Sequence, residues 1–203
     1  MTSKIAPEQV ITFDEFIRQY AGKRYEFVEG TPQPIGEEIV AENGEIIVSP
    51  ATGIHGLITN FIAYLLTGFV LEKRLGYVFG AETGFMMNRE SSEMRAADVA
   101  FVSKERITSP EQLTHWLPFP PDLAVEVVSE HDRATDIQRK ARSYMANGTR
   151  LLWLFYPDTR EAEVHRPGEP IYTLGIGETL NGGDVLPGFS VEVKTVFAIT
   201  ESE

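Results

Sequence analysis

Apolar and polar positions along this chain follow two rhythms, one helical and one of strands. Phe13, Phe16, Ile17 and Tyr20 share one side of a helix predicted over residues 12–20, with Thr12 and Glu15 at capping-box spacing. A strand follows over 24–29 and ends at Gly30. Pro32 and Pro34 read as a turn, residues 36–44 as an acidic loop, and residues 45–49 as the answering strand. Ile54, Ile58, Phe61, Ile62, Leu65, Leu66 and Phe69 then recur at the spacing of a helix with a wide apolar face, running to Leu71.

Strands are expected at 77–79 and 82–87, with a polar turn over 88–93 before another over 95–102. Residues 103–121 are proline-rich and loop-like, with His115 and Trp116 exposed. An apolar strand over 121–129 precedes a helix from Asp132 to Asn147, which Gly148 terminates. Strand 151–156 is almost wholly apolar, as a strand covered on both faces is. The remainder reads as hairpins at 161–166, 171–174 and 189–193 around a turn at Asn181, Gly182 and Gly183, with a short helix near Lys194. The pattern predicts one α+β domain over residues 1–203, built on a mixed β-sheet.

Composition narrows the chemistry. A length of 203 residues suits one substantial core, and 42% hydrophobic with 24% charged residues is the balance of a soluble globular protein. Cysteine is absent, which excludes disulfides, thiolate metal sites and a cysteine nucleophile, and agrees with a reducing, cytoplasmic interior. Residues 1–7 lack the apolar run of a signal peptide. The longest apolar stretch, 57–71, contains Asn60 and falls short of the ~20 residues a bilayer requires, so it reads as a buried helix with no membrane partner. The formal charge of −12 is not the basic footprint of a typical nucleic-acid binder. Acid on a remote face, or a bound metal, would leave such binding open.

Two acids interrupt otherwise apolar strands: Asp98 in the 95–102 segment and Glu126 in the 121–129 segment. A carboxylate in such surroundings is costly unless its charge is compensated. Alternation puts Asp98 with Ala100 and Val102 on one face, and Glu126 with Ala124 and Val128. The small alanines leave room for an ion or a phosphate. On the following helix Ile137, Ala141, Tyr144 and Met145 form the apolar stripe, and Lys140 stands at its edge. Asp98, Glu126 and the Val127 carbonyl therefore suggest a hard divalent cation such as magnesium. Such an ion polarises a phosphoryl oxygen and acidifies a bound water, and Lys140 would orient that water or stabilise developing charge.

With these residues in order, the chain resembles the PD-(D/E)XK nuclease superfamily, and in particular a large bacterial family described as "putative restriction endonucleases". The resemblance runs from residues 25–30 through His55 to Asp98, Glu126 and Ser129. It continues through Asp136, Lys140, Tyr144, Gly148, residues 152–154 and residues 186–189. It implies a restriction-endonuclease-like core with additional β-hairpins, a mixed central sheet flanked by helices, and a magnesium-dependent phosphodiesterase site in which manganese can substitute. By that likeness Asp98 and Glu126 are the motif acids, and Glu26 or Glu29 is an upstream acid, with Glu26 favoured. The chain departs from the pattern twice: Ala97 replaces the usual proline, and Val128 stands at the usual lysine position, with Lys140 taking that role from the helix.

Plainer readings compete at each position. Asp98 could pair with Arg95, and Lys140 with Asp136 four residues earlier on a helix surface. His55 reads as a helix-start cap or a substrate contact. Arg139 and Arg142 read as phosphate contacts or as a solvated helix face, and His131 as a loop side chain. Trp153 and Phe155 read as core. No phosphate-binding GxxxxGK[ST] loop, zinc-type histidine pair or nucleophile elbow is present. Two functions remain. One is a metal-dependent endonuclease acting on nucleic acid, DNA in the first instance. The other is a non-catalytic nuclease-like scaffold working as an interaction protein. A homodimer is expected in either case, because the apolar face over 54–71 exceeds what one small sheet covers.

Overall fold

The computed structural model describes residues 10–36, 38–41, 44, 46–88, 93–130 and 132–200. The expectations for residues 1–7, Glu45, His131 and most of the turn over 88–93 lie outside them. Helix α1 (Phe13–Tyr20) opens with the full capping box between Thr12 and Glu15. Strand β1 (Tyr25–Val28) turns directly into β2 (Thr31–Pro34), so the expected proline turn is a strand. It is tolerated because β2 is the sheet's outer strand, where a missing proline N–H breaks no ladder. The predicted loop holds β3 (Glu38–Val40), and β4 (Ile46–Val48) pairs with β3 rather than answering β1.

Helix α2 (Gly53–Lys73) is followed by β5 (Gly76–Gly80), β6 (Phe85–Asn88), β7 (Glu93–Arg95) and β8 (Val99–Ser103). Two short 3-10 turns cross the loop after β8. Then come β9 (Leu123–Val127), α3 (Ala134–Ala146), β10 (Leu151–Tyr156) and β11 (Glu161–His165). Strands β12 (Tyr172–Leu174), β13 (Thr179–Asn181) and β14 (Ser190–Glu192) precede α4 (Val193–Ala198).

A six-stranded sheet in the order β12-β11-β10-β9-β8-β5 forms the centre. It is mixed, as expected: β9 and β10 run parallel, and the other neighbours are antiparallel. Alternation sends Leu123, Val125 and Val127 of β9 to one face, where α2 and α4 cover them in a core with Trp153, Phe155, Val196 and Phe197. Ala124 goes to the other face, packed with Leu152, Leu154 and the Ala141–Tyr144 stripe of α3. A second sheet, β2-β1-β7-β6, contributes Phe85 and Met87 to that second core. This places β1 and β7 beside α3.

Helix α2 is not buried as the sequence suggested. Ile58, Ile62, Leu66 and Val70 are its buried residues, while Ile54, Leu57, Tyr64 and Leu71 are exposed. At 21 residues it is long and apolar enough to cross a bilayer by length and composition, yet one of its faces is core.

Candidate active site

All five residues of β9 are buried, Glu126 among them at 8% exposure. Its position on the alternation aims it at α3, where both carboxylate oxygens find donors. Lys140 Nζ donates to Oε2 at 2.7 Å, and the Tyr144 hydroxyl donates to Oε1 at 2.8 Å. Lys140 and Tyr144 are four residues apart on one helix face, which is why one carboxylate reaches both. Tyr144 was placed by sequence in the apolar stripe. Its signal was present there: a phenol on a buried stripe requires a partner for its hydroxyl.

Antiparallel pairing sets Val99 opposite Val125. One more step in that register brings Asp98 opposite Glu126, on the same face. The sequence put Asp98 inside its strand; the structure puts it at the bend just before β8. There its Oδ2 accepts the Val127 N–H at 2.8 Å, so the side chain bridges to β9 where the backbone ladder has stopped. The same oxygen lies 3.1 Å from His55 Nε2. Thr52 caps α2 through the His55 N–H, which frees the imidazole to turn inward to Asp98, with Thr59 Oγ1 3.5 Å from Nδ1.

Glu26 arrives from the other sheet on β1 and is 7% exposed. Its Oε1 accepts the Ala96 N–H at 2.9 Å and lies 3.6 Å from Lys140 Nζ. Its Oε2 lies 3.1 Å from Arg95 Nη1. Arg95 therefore does not pair with Asp98. It is 4% exposed and also reaches Glu93 Oε1 at 3.0 Å and Ser143 Oγ at 3.0 Å, while Ser143 donates to Glu93. Sequence reasoning passed over this cluster, although Glu93 and Arg95 at alternate positions of one strand share a face and were a legible sign of a buried pair.

A cleft of about 560 Å³ gathers these groups: Glu26, His55, Arg95, Asp98, Glu126, Val127, Lys140 and Tyr144 all line it, together with Arg24, Arg133 and Arg139. Lys140 points to Glu126 and Glu26, and Asp136 is taken by Arg139 at 3.0 Å. Arg142 is exposed and does not line the cleft, and Glu29 is an exposed turn residue at φ 51°.

At the cleft floor three carboxylates (Glu26, Asp98 and Glu126) face two cations, Arg95 and Lys140, with Glu93 backing Arg95 from behind the lining. The imbalance appears in the proton affinities. Burial pushes the Glu126 carboxyl up to about 7 against the attraction of Lys140, with Asp98 and Glu26 adding to the rise. Burial works against the Lys140 ammonium, yet Glu126, Glu26 and Asp98 outweigh it and hold the group protonated. Burial would raise Asp98 too, but the His55 hydrogen bond and charge leave it below the usual carboxylate value. The Asp98 hydrogen bond raises His55.

These directions give a pH dependence. Between pH 4.5 and about 7 folded Glu126 keeps a proton that the unfolded chain has lost, so stability falls as pH rises through that window. His55 acts with the same sign above 6.5, and Asp98 withdraws stability only on acidification below 3.8. Thermal melts of chelator-treated protein are expected to show a loss on the order of 1–3 kcal/mol across the Glu126 window, and Glu126→Gln to flatten it.

Among the described residues no group of three or more Asp, Glu or His side chains is placed to hold a metal ion. The donors fit a cation that keeps its own waters. Magnesium takes one or two carboxylates and retains several waters, and here the adjacent carboxylates Asp98 and Glu126 both line the cleft.

The model of the Uma2 family, described as "Putative restriction endonuclease", matches residues 13–194. The chain belongs to the Uma2 family. Among solved structures it is similar to a "putative nuclease belonging to DUF820" from Anabaena variabilis, with 19% identity and a TM-score of 0.74 over 94% of this chain and 99% of that one. At that identity the likeness establishes the restriction-endonuclease-like fold. No curated protein matches this Uma2 chain.

Proposed function

We propose that this chain is a magnesium-dependent endonuclease that hydrolyses phosphodiester bonds of DNA, with manganese able to replace magnesium. The observation that carries the reading is the meeting of Asp98, Glu126 and Lys140 in one cleft whose floor holds more carboxylates than cations. The family description and the fold of the Anabaena protein support a nuclease. Asp98 and Glu126 would hold the cation, with the Val127 carbonyl at the end of β9 as a further oxygen. The ion would polarise a phosphoryl oxygen and supply an acidified water.

The rest is the work of the chain. Lys140, kept charged by Glu126 and Glu26, presents an ammonium to the negative charge that grows on the phosphate during attack. Tyr144 and Lys140 fix the Glu126 carboxylate, and His55 and the Val127 amide fix Asp98. Arg24, Arg133 and Arg139 line the same cleft with Asp132 and Asp136, so its lining balances five Arg or Lys against five Asp or Glu and is less acidic than the chain as a whole, whose charge is −12.

The test is conversion of supercoiled plasmid to open circle by pure protein. Nicking that requires magnesium or manganese and stops with chelator is expected. No cleavage of plasmid or RNA, with no heat of divalent-cation binding by calorimetry, would instead identify a non-catalytic scaffold.

A further inference from the structure

Helix α2 carries a second apolar stripe that the fold leaves uncovered. Leu57, Phe61, Tyr64, Gly68 and Leu71 succeed one another at intervals of four and three residues, the spacing of a seam between two paired helices. Leu57, Tyr64 and Leu71 are 49%, 69% and 68% exposed. Gly53 to Leu71 contains no Asp, Glu, Lys or Arg, in a chain of net charge −12. Gly68 is the telling residue. A mid-helix glycine costs about 1 kcal/mol relative to alanine. A Cβ built at Gly68 would meet nothing within 4 Å, so no neighbour in the chain itself requires glycine there.

The stripe is also self-complementary. Leu57 and Leu71 stand seven residues to either side of Tyr64, and Phe61 and Gly68 stand three before it and four after it. When a second copy is laid antiparallel on the stripe, each Leu57 faces a Leu71 and each Phe61 ring faces the gap at a Gly68. Large meets small, and the helix dipoles oppose. We propose that α2 pairs antiparallel with α2 of a second copy of this chain, about a twofold axis passing near Tyr64. Such an interface uses the same patch on both subunits. An uncharged seam is also where two strongly acidic chains repel least.

The paired helices alone run ~30 Å and, at a helix width of ~10 Å, cover ~300 Å² per partner, short of the ~800 Å² of a standard interface. The apolar surface continues beside them. A groove of about 310 Å³ lined by Thr67, Leu71, Tyr77, Phe79 and Leu113 joins α2 to β5, the outer strand of the central sheet. This pairing is independent of the catalytic reading, since the stripe lies on a different face of α2 from the one in the core.

Sedimentation equilibrium of the full chain at micromolar concentration is expected to return twice the chain mass. Gly68→Leu is apolar and favours helix, so it should melt no lower than wild type while weakening the dimer at least about tenfold. The chain has no cysteine, so Tyr64→Cys gives a clean probe: mild oxidation should join two copies through that residue, while Thr173→Cys, on an exposed strand position, should not cross-link. A monomeric wild type overturns the proposal, including one that pellets with phosphatidylcholine vesicles and so uses the stripe for lipid. A Gly68→Leu dimer as tight as wild type, or equal cross-linking at both cysteines, overturns the antiparallel seam.

Discussion

Glu126→Gln and Asp98→Asn are each expected to reduce magnesium-dependent plasmid nicking by about a thousandfold or more, the several kcal/mol that a catalytic cation supplies. Both replacements keep volume and hydrogen-bonding shape. In Glu126→Gln the amide oxygen can still accept from Lys140 while the amide nitrogen donates to the Tyr144 oxygen. In Asp98→Asn the amide oxygen can still accept the Val127 N–H, so the lost quantity is the negative charge that would hold the ion. Stability separates this outcome from unfolding. Burial has already pushed Glu126 to about 7, so a neutral amide removes repulsion from Asp98 and Glu26, and Glu126→Gln should melt no lower than wild type at pH 8 without metal. Calorimetric titration with manganese should show both variants losing cation affinity. Nicking undiminished in both would assign the activity to a contaminant.

Arg95→Met is expected to be the most destabilising single change near the cleft, about 3–5 kcal/mol by urea unfolding. Arg95 is 4% exposed, 3.1 Å from Glu26 and 3.0 Å from Glu93, and its removal leaves both buried carboxylates without their guanidinium. The pair itself need not be a large net stabiliser, because desolvating three charges offsets much of their attraction. The asymmetry lies in removing one partner. Neutralising the acids as well, in Arg95→Met with Glu26→Gln and Glu93→Gln, should recover most of the loss. A loss below about 1 kcal/mol for the single variant would mean that water reaches the carboxylates and that the cluster is not dry.

Much of this molecule is legible in local pattern. The α1 capping box, the α3 stripe and the apolar β10 follow from periodicity and cap chemistry, which act over a few residues. The errors share a cause. Pro32 and Pro34 signalled a turn because local propensity cannot tell an edge strand from a loop; only the position of β2 at a sheet margin made the strand possible. The strand at 46–48 was given the wrong partner for the same reason, since pairing between strands is not encoded in either strand alone.

The candidate site divides along that line. The sequence by itself determined that Glu126 lies in an apolar strand and that Lys140 follows on a helix, because buried charge stands out against apolar neighbours; it set Asp98 inside a second strand, where the structure has it at the bend just before β8. Only the tertiary structure decided that His55 turns to Asp98, that Tyr144 donates to Glu126, and that Glu26 and Arg95 meet from a second sheet beside the same cleft. These contacts join residues 18 to 69 positions apart. Register, packing and the balance of charge across a shared cavity set them, and none of those is a property of a single segment.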